Sequence, residues 1–267
     1  MLEIIGYMAS IFIGVSLGLI GGGGSILTVP VLVYLMNIEP VPATAYSLFI
    51  VGITSLIGAL TYVKKEQVNY SIGIIFALPA LITVYLTRRF IVPAIPDIII
   101  SFDSISISKN LMIMGVFAVL MFLASISMIR NNSDLDIKNG NKLNIPLIFI
   151  EGIIVGFFTG IVGAGGGFLI IPALVLLAKL PMKIAVGTSL MIIAIKSLIG
   201  FIGDLEASMQ IDWSLLIIFS VLAIIGIFIG SYLSNKISNK KLKPAFGWFV
   251  LVMSIYIIVK ELYTNFN

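Results

Sequence analysis

The 267-residue chain contains no cysteine and no histidine. Disulfides, thiol chemistry, imidazole bases and the usual zinc and haem ligands are thereby excluded. Charge is nearly as scarce: only 10% of residues are Asp, Glu, Lys or Arg, where a soluble domain carries about 25%. Water therefore cannot surround most of this surface. With 60% hydrophobic residues and a mean hydropathy of +1.18, the solvent is lipid. A basic start ahead of a short apolar run, the mark of a signal peptide, is missing from Met1–Ile20. The 16 basic residues sit mainly in the gaps between apolar runs, so the net charge of +4 reports membrane orientation and not nucleic-acid binding. An enzyme here would have only carboxylates, hydroxyls and lysines, and no paired intramembrane acids stand out. The chain is read as a non-enzyme that calls for no cofactor and no metal.

What the chain has is an internal repeat. Laying residues 14–60 over 156–202, an offset of 142, gives 19 identities in 47 positions without a gap. They include six glycines, Pro30/Pro172, Ser47/Ser189 and Ser55/Ser197, and end in an identical Ser-Leu-Ile-Gly. Each half carries a glycine cluster, Gly21-Gly22-Gly23-Gly24-Ser25 and Gly163-Ala164-Gly165-Gly166-Gly167, directly before a short apolar run. Two related halves with glycine-interrupted segments form the pattern of a secondary transporter.

Apolar runs fall at 3–20, 25–36, 43–62, 71–87, 110–129, 146–162, 168–178, 185–202, 213–233 and 244–259. A full span needs about 20 residues, so 25–36 and 168–178 read as half-helices. Corresponding loops carry opposite charge: 63–70 holds Lys64 and Lys65, whereas 203–212 holds Asp204, Glu206 and Asp212. Likewise 37–42 has no base, whereas 179–184 has Lys179 and Lys183. By the positive-inside rule the halves insert upside down relative to each other. Each then comprises a glycine-broken hairpin that enters and leaves on one face, followed by three crossings. The expected fold is an all-α polytopic membrane protein with two inverted repeats, 1–129 and 146–267, joined by a hydrophilic linker at 130–145. Arg88-Arg89 fits poorly, since it falls outside on this count, and 90–109 has no counterpart in the second half; an outward cap is the assignment made for it.

A half-helix that starts after a glycine run exposes backbone N–H groups and the positive end of its dipole, an arrangement suited to an oxyanion. Gly22, Gly23, Gly24 and Ser25 start one such stub; Ala164, Gly165, Gly166 and Gly167 start the other. Two stubs meeting from opposite leaflets would clamp a small anion near the midplane. Counting roughly 1.5 Å per residue brings the hydroxyls of Thr54 and Ser55 to the level of the first turn, and Lys196 and Ser197 beside the second. Ser47, Thr188 and Ser189 complete the candidate substrate-binding set. Each has a plainer alternative: glycines serve close packing, serines bond their own helix carbonyls, and Lys196 snorkels or pairs with Asp204.

These residues resemble the TauE/SafE family of membrane transporters, associated with export of sulfite and organosulfonates. The resemblance rests on Gly-Leu-Ile-Gly-Gly-Gly-Gly-Ser-Ile-Leu-Thr-Val-Pro (18–30), Ala-Tyr-Ser-Leu (45–48), Gly-Ile-Val-Gly-Ala-Gly-Gly-Gly-Phe-Leu-Ile-Ile-Pro (160–172) and Ala-Val-Gly-Thr-Ser-Leu (185–190). It is strongest over Gly14–Tyr62 and Gly156–Ile211 and departs from the usual pattern over 71–109. It implies anion transport. The expectation is an alternating-access carrier, exporting sulfite or a short organosulfonate, in the cytoplasmic (inner) membrane of a prokaryote; the alternative is an anion channel or a carrier of another small anion. Its partners would be the anion and the bilayer, with a coupling proton or ion and a homodimer left open.

Overall fold

A computed structural model describes residues 2–102, 105–130, 145–207, 209–234 and 239–266. Most of the linker, 131–144, lies outside the described residues. In chain order the elements are α1 (Leu2–Ile20), a 3-10 turn (Gly21–Leu27), α2 (Thr28–Tyr34), α3 (Pro40–Val63) and α4 (Tyr70–Leu86). A π turn (Thr87–Ile91), α5 (Val92–Ala94), an antiparallel hairpin of β1 (Ile98–Phe102) and β2 (Ile105–Ser108), and α6 (Lys109–Arg130) close the first half. The second half is α7 (Ile145–Val162), α8 (Gly167–Leu176), α9 (Met182–Glu206), α10 (Trp213–Leu233) and α11 (Asn239–Phe266).

The protein is an all-α polytopic membrane protein: most of the described residues are helical, and seven helices among them are long and apolar enough to cross a membrane. The hairpin β1–β2 is the one departure, and it falls in the stretch without a repeat counterpart. Helix starts follow local chemistry. Pro40 opens α3, where its missing N–H costs nothing. Asn69 and Asp212 cap α4 and α10, each accepting a backbone N–H at 3.0 Å, from Ile72 and Leu215. On α4, Ile74, Leu78, Ile82 and Leu86 recur every fourth residue and are all exposed. Such a stripe covers one face of a helix, and its exposure is stable only against lipid.

The centre belongs to α3 and α9. Of each, 72% lies inside the protein, against 39–44% for the other five spanning helices. They run antiparallel to one another: a Cβ built on Gly52 would stand 2.9 Å from Leu198, one on Gly58 3.4 Å from Leu190, and one on Gly200 3.3 Å from Leu48. As one number rises the other falls. Helix α1 packs on α10, and α7 on α4. Gly14 lies against the Ala223 carbonyl, and Gly156, its repeat counterpart, against the Ala80 carbonyl, where a Cβ would stand 2.6 Å away. The first helix of each half thus leans on the other half, and the two interlock.

Candidate functional site

Both glycine breaks turn the chain by the same backbone device. Gly21 and Gly163, which correspond in the repeat, both adopt φ +72°, a left-handed conformation open to glycine at no steric cost. The far ends of the two stubs match as well, with Asn37 at φ 55° and Lys179 at φ 51°. Between these points the breaks differ. The second passes through left-handed Gly165 and Gly166, and α8 starts at Gly167 with Gly166 as its N-cap. The first runs on as the 3-10 turn Gly21–Leu27, and α-helix begins only at Thr28. The expectation that Gly22–Ser25 opens an α-helical stub is corrected here: a 3-10 turn spends its N–H groups on i−3 carbonyls, so fewer are left for a ligand.

The two returning segments meet in the middle of the bundle. A Cβ on Gly22 would overlap the Gly167 Cα, and one on Gly167 would overlap Gly22. A Cβ on Gly165 would stand 3.3 Å from the Ser25 Cβ and 2.6 Å from Val51, and one on Gly22 2.5 Å from Ile193. Val51 and Ile193 are counterparts in the repeat. The hairpin tips overshoot this crossing: Gly21 reaches Val186 near the start of α9, and Gly163 reaches Thr44 near the start of α3. At the crossing backbone touches backbone, so no anion fits between Gly22 and Gly167 in this closed arrangement.

Helical spacing aims the serines at this crossing. Ser47, Val51 and Ser55 follow one another every fourth residue on α3, as do Ser189, Ile193 and Ser197 on α9. Each triplet forms one stripe, and the middle residue of each touches a glycine break. Ser47, Ser55 and Ser197 are fully buried, and their hydroxyls have no hydrogen-bond partner among the described residues. The Thr28 hydroxyl, at the start of α2, is in the same condition. Buried hydroxyls are normally paired, and the three serines among these four lie on the two stripes that flank the crossing, where a ligand's oxygens would satisfy them.

The other candidates are already engaged. Ser25 donates to the Gly22 carbonyl at 2.7 Å, Thr54 to that of Ile50 at 2.6 Å and Ser189 to that of Val186 at 2.8 Å. The Thr188 hydroxyl accepts the Asn69 N–H at 2.9 Å and so ties α9 to the cap of α4, away from the crossing. Ala164 is buried in the second break, Gly23 lies within the 3-10 turn, and Gly24 packs on Ser16 and Leu17 of α1.

Lys196 is fully buried. It neither snorkels nor pairs with Asp204: its ammonium donates to the Thr159 hydroxyl at 2.7 Å, and no ion pair joins it to a carboxylate among the described residues. Gly166 adopts φ +67°, and a Cβ there would overlap Thr159 Cγ2 and stand 2.8 Å from this ammonium, so glycine is the residue that fits beside the charge. The crossing therefore combines one buried cation, a glycine turn beside it, and buried hydroxyls above and below.

The sequence profile described as "Sulfite exporter TauE/SafE" matches residues 7–257. The chain belongs to the TauE/SafE family. Its relatives within reach of alignment include a "probable membrane transporter protein" of Xylella fastidiosa, 27% identical over 92% of this chain and 91% of the relative. A "probable membrane transporter protein" of Methanocaldococcus jannaschii is 28% identical over 97% and 95%, and one of Bacillus subtilis, YunE, is 26% identical over 90% and 89%. No solved structure matches. As a TauE/SafE protein it is a membrane transporter and not an enzyme.

Residues that spacing and charge did not single out for the site complete this TauE/SafE protein's interior. Thr159 of α7 holds Lys196. Arg88, which the charge count above put outside, is fully buried in the π turn that follows α4 and pairs with Asp204 of α9 at 3.5 Å. That pairing takes Arg88 out of the exposed-charge count, because it is neutralised inside the protein. Its neighbour Arg89 remains at the surface, 3.6 Å from Glu206.

Proposed function

We propose that the chain is a secondary carrier that moves a small sulfur-containing oxyanion, such as sulfite or a short organosulfonate, outward by alternating access. The observation that carries this reading is the set of buried, unpaired hydroxyls on Ser47, Ser55 and Ser197, on the stripes that face the glycine crossing where Lys196 stands. A buried cation with one neutral partner is costly, and an anion would neutralise it. Several acceptor oxygens would meet the hydroxyls and the amides of Gly165, Gly166 and Gly167.

Loading requires Gly22 and Gly167 to part. The antiparallel run of contacts between α3 and α9 supports two inverted repeats, and rocking one against the other would separate the two breaks while α3 and α9 carry the serines along. Gly22, Gly23, Gly24 and Ser25 would then frame one side of the pocket and Ala164 to Gly167 the other; Thr54, Thr188 and Ser189 would contribute only by exchanging their present bonds for the anion. The family's description as a sulfite exporter supports the substrate class and the direction.

The test is exchange of radiolabelled sulfite or a labelled sulfonate by purified protein in liposomes. Saturable counterflow that collapses in Lys196→Ala is expected. Lys196→Ala with full affinity and full exchange would remove Lys196 from the site, and absence of exchange by the unmodified protein for every sulfur oxyanion would remove the substrate assignment.

A further inference from the structure

The Arg88–Asp204 pair uses its chemistry incompletely. The contact is a single one, Nη1 to Oδ1 at 3.5 Å, and the same Nη1 donates to the Thr44 hydroxyl at 3.0 Å. Arg88 Nε and Nη2, Asp204 Oδ2 and the neighbouring Thr87 hydroxyl are all buried without partners among the described residues. Guanidinium–carboxylate pairs are frequently two-pronged, and this one is not. Here two nitrogens of a fully buried guanidinium, carrying three N–H donors between them, are unspent among the described residues.

Its place in the fold is equally telling. Thr44 touches both Arg88, through its hydroxyl, and Gly163, the tip of the second broken hairpin. The cluster therefore adjoins the break, and Asp204 stands eight residues from Lys196 along α9, roughly 12 Å of helix. It joins α4 and α3 of one half to α9 of the other, so motion between the halves must strain it. The positions 142 residues from Arg88, Asp204 and Thr44 are Gly230, Tyr62 and Val186, which can form no ion pair. At that opposite end Lys65 and Lys183, with Tyr62, Gln67 and Ser234, line a cavity of about 20 Å³. One end of the bundle buries an ion pair; the other presents lysines.

We infer that Arg88 is a second anion-binding residue, held by the Asp204 carboxylate while its end of the path is sealed and transferred to a small oxyanion when that end opens. The Asp204 carboxylate stands in for the substrate's oxygens, and the spare Nε–H and Nη2–H with the Thr87 hydroxyl supply the further contacts that a polyoxygen anion would satisfy. This rests on the carrier reading above for the identity of the anion.

Equilibrium binding of radiolabelled sulfite to the purified full-length protein tests it. Unmodified protein should bind one sulfite per chain, weakened by Lys196→Ala. Asp204→Asn removes the competing carboxylate and should raise the stoichiometry towards two, and adding Arg88→Gln should return it to one. A folded Asp204→Asn protein that binds no additional sulfite overturns the proposal. Should that variant not fold, the neutralised pair Arg88→Gln/Asp204→Asn takes its place: the expected result is central binding within threefold of normal with liposome exchange at least tenfold slower, and exchange at the normal rate overturns it. Failure of unmodified protein to bind sulfite at all strikes the substrate assignment, whereas normal first-site binding without these effects strikes only Arg88.

Discussion

Gly22 and Gly167 meet backbone to backbone at the centre of the bundle, each filling the space where the other's Cβ would stand. The contact makes this crossing a closed one, and it defines what glycine does here: it permits approach as well as turning.

Gly167→Ala would force a methyl group into the Gly22 backbone, which has no flexible end to yield. Overpacking of this kind costs about 1–3 kcal/mol. A lower Tm in detergent and slowed sulfite exchange are expected. Gly115→Ala on α6, where a Cβ meets nothing within 4 Å, should leave both unchanged.

Lys196 and Thr159 should separate stability from transport. Lys196→Met removes a buried charge that has one neutral partner, so thermal stability should hold or rise while exchange falls at least tenfold. Thr159→Val strands the ammonium and should lower stability by about 1–3 kcal/mol. A Lys196→Met protein that is less stable yet fully active would contradict the assignment of this charge to the anion.

Ser47→Ala, Ser55→Ala and Ser197→Ala each delete a hydroxyl that has no hydrogen-bond partner among the described residues. Stability should change by under about 0.5 kcal/mol, as for a substitution that breaks no existing interaction, while sulfite affinity falls several-fold. Ser125→Ala on α6, whose hydroxyl bonds the Phe122 carbonyl, serves as the control and should leave affinity unaltered. Unchanged affinity in all three serine variants would move the pocket elsewhere.

Sidedness is open to direct measurement, because a chain without cysteine accepts single-cysteine reporters on a clean background. Lys65→Cys and Lys183→Cys, which line one small cavity, should react with a membrane-impermeant thiol reagent from the same side. Glu206→Cys should react from the other. Labelling of all three from one side would refute the inverted arrangement of the halves.

Much of this architecture is legible in the residue order. Charge scarcity names the solvent, and a gapless offset of 142 reveals two halves. Glycine clusters locate both breaks, because a run of residues without Cβ cannot be mistaken for ordinary apolar helix. The serine stripes follow from four-residue spacing alone, and Lys196 is conspicuous as a base inside an apolar run.

Only the tertiary structure decided which helices are neighbours: α1 on α10, α7 on α4, and the two breaks across one another. In a membrane protein the lipid-facing and protein-facing sides of a helix draw on the same apolar residues, so composition does not say which face meets which. It also decided the fate of individual polar groups. Thr188 turns to the Asn69 N–H and Lys196 to Thr159, while Arg88 finds Asp204 116 positions away. Local spacing reports which residues share a helical face; whether a hydroxyl or charge there is satisfied depends on what another segment brings to it, and that is settled only when the halves interlock.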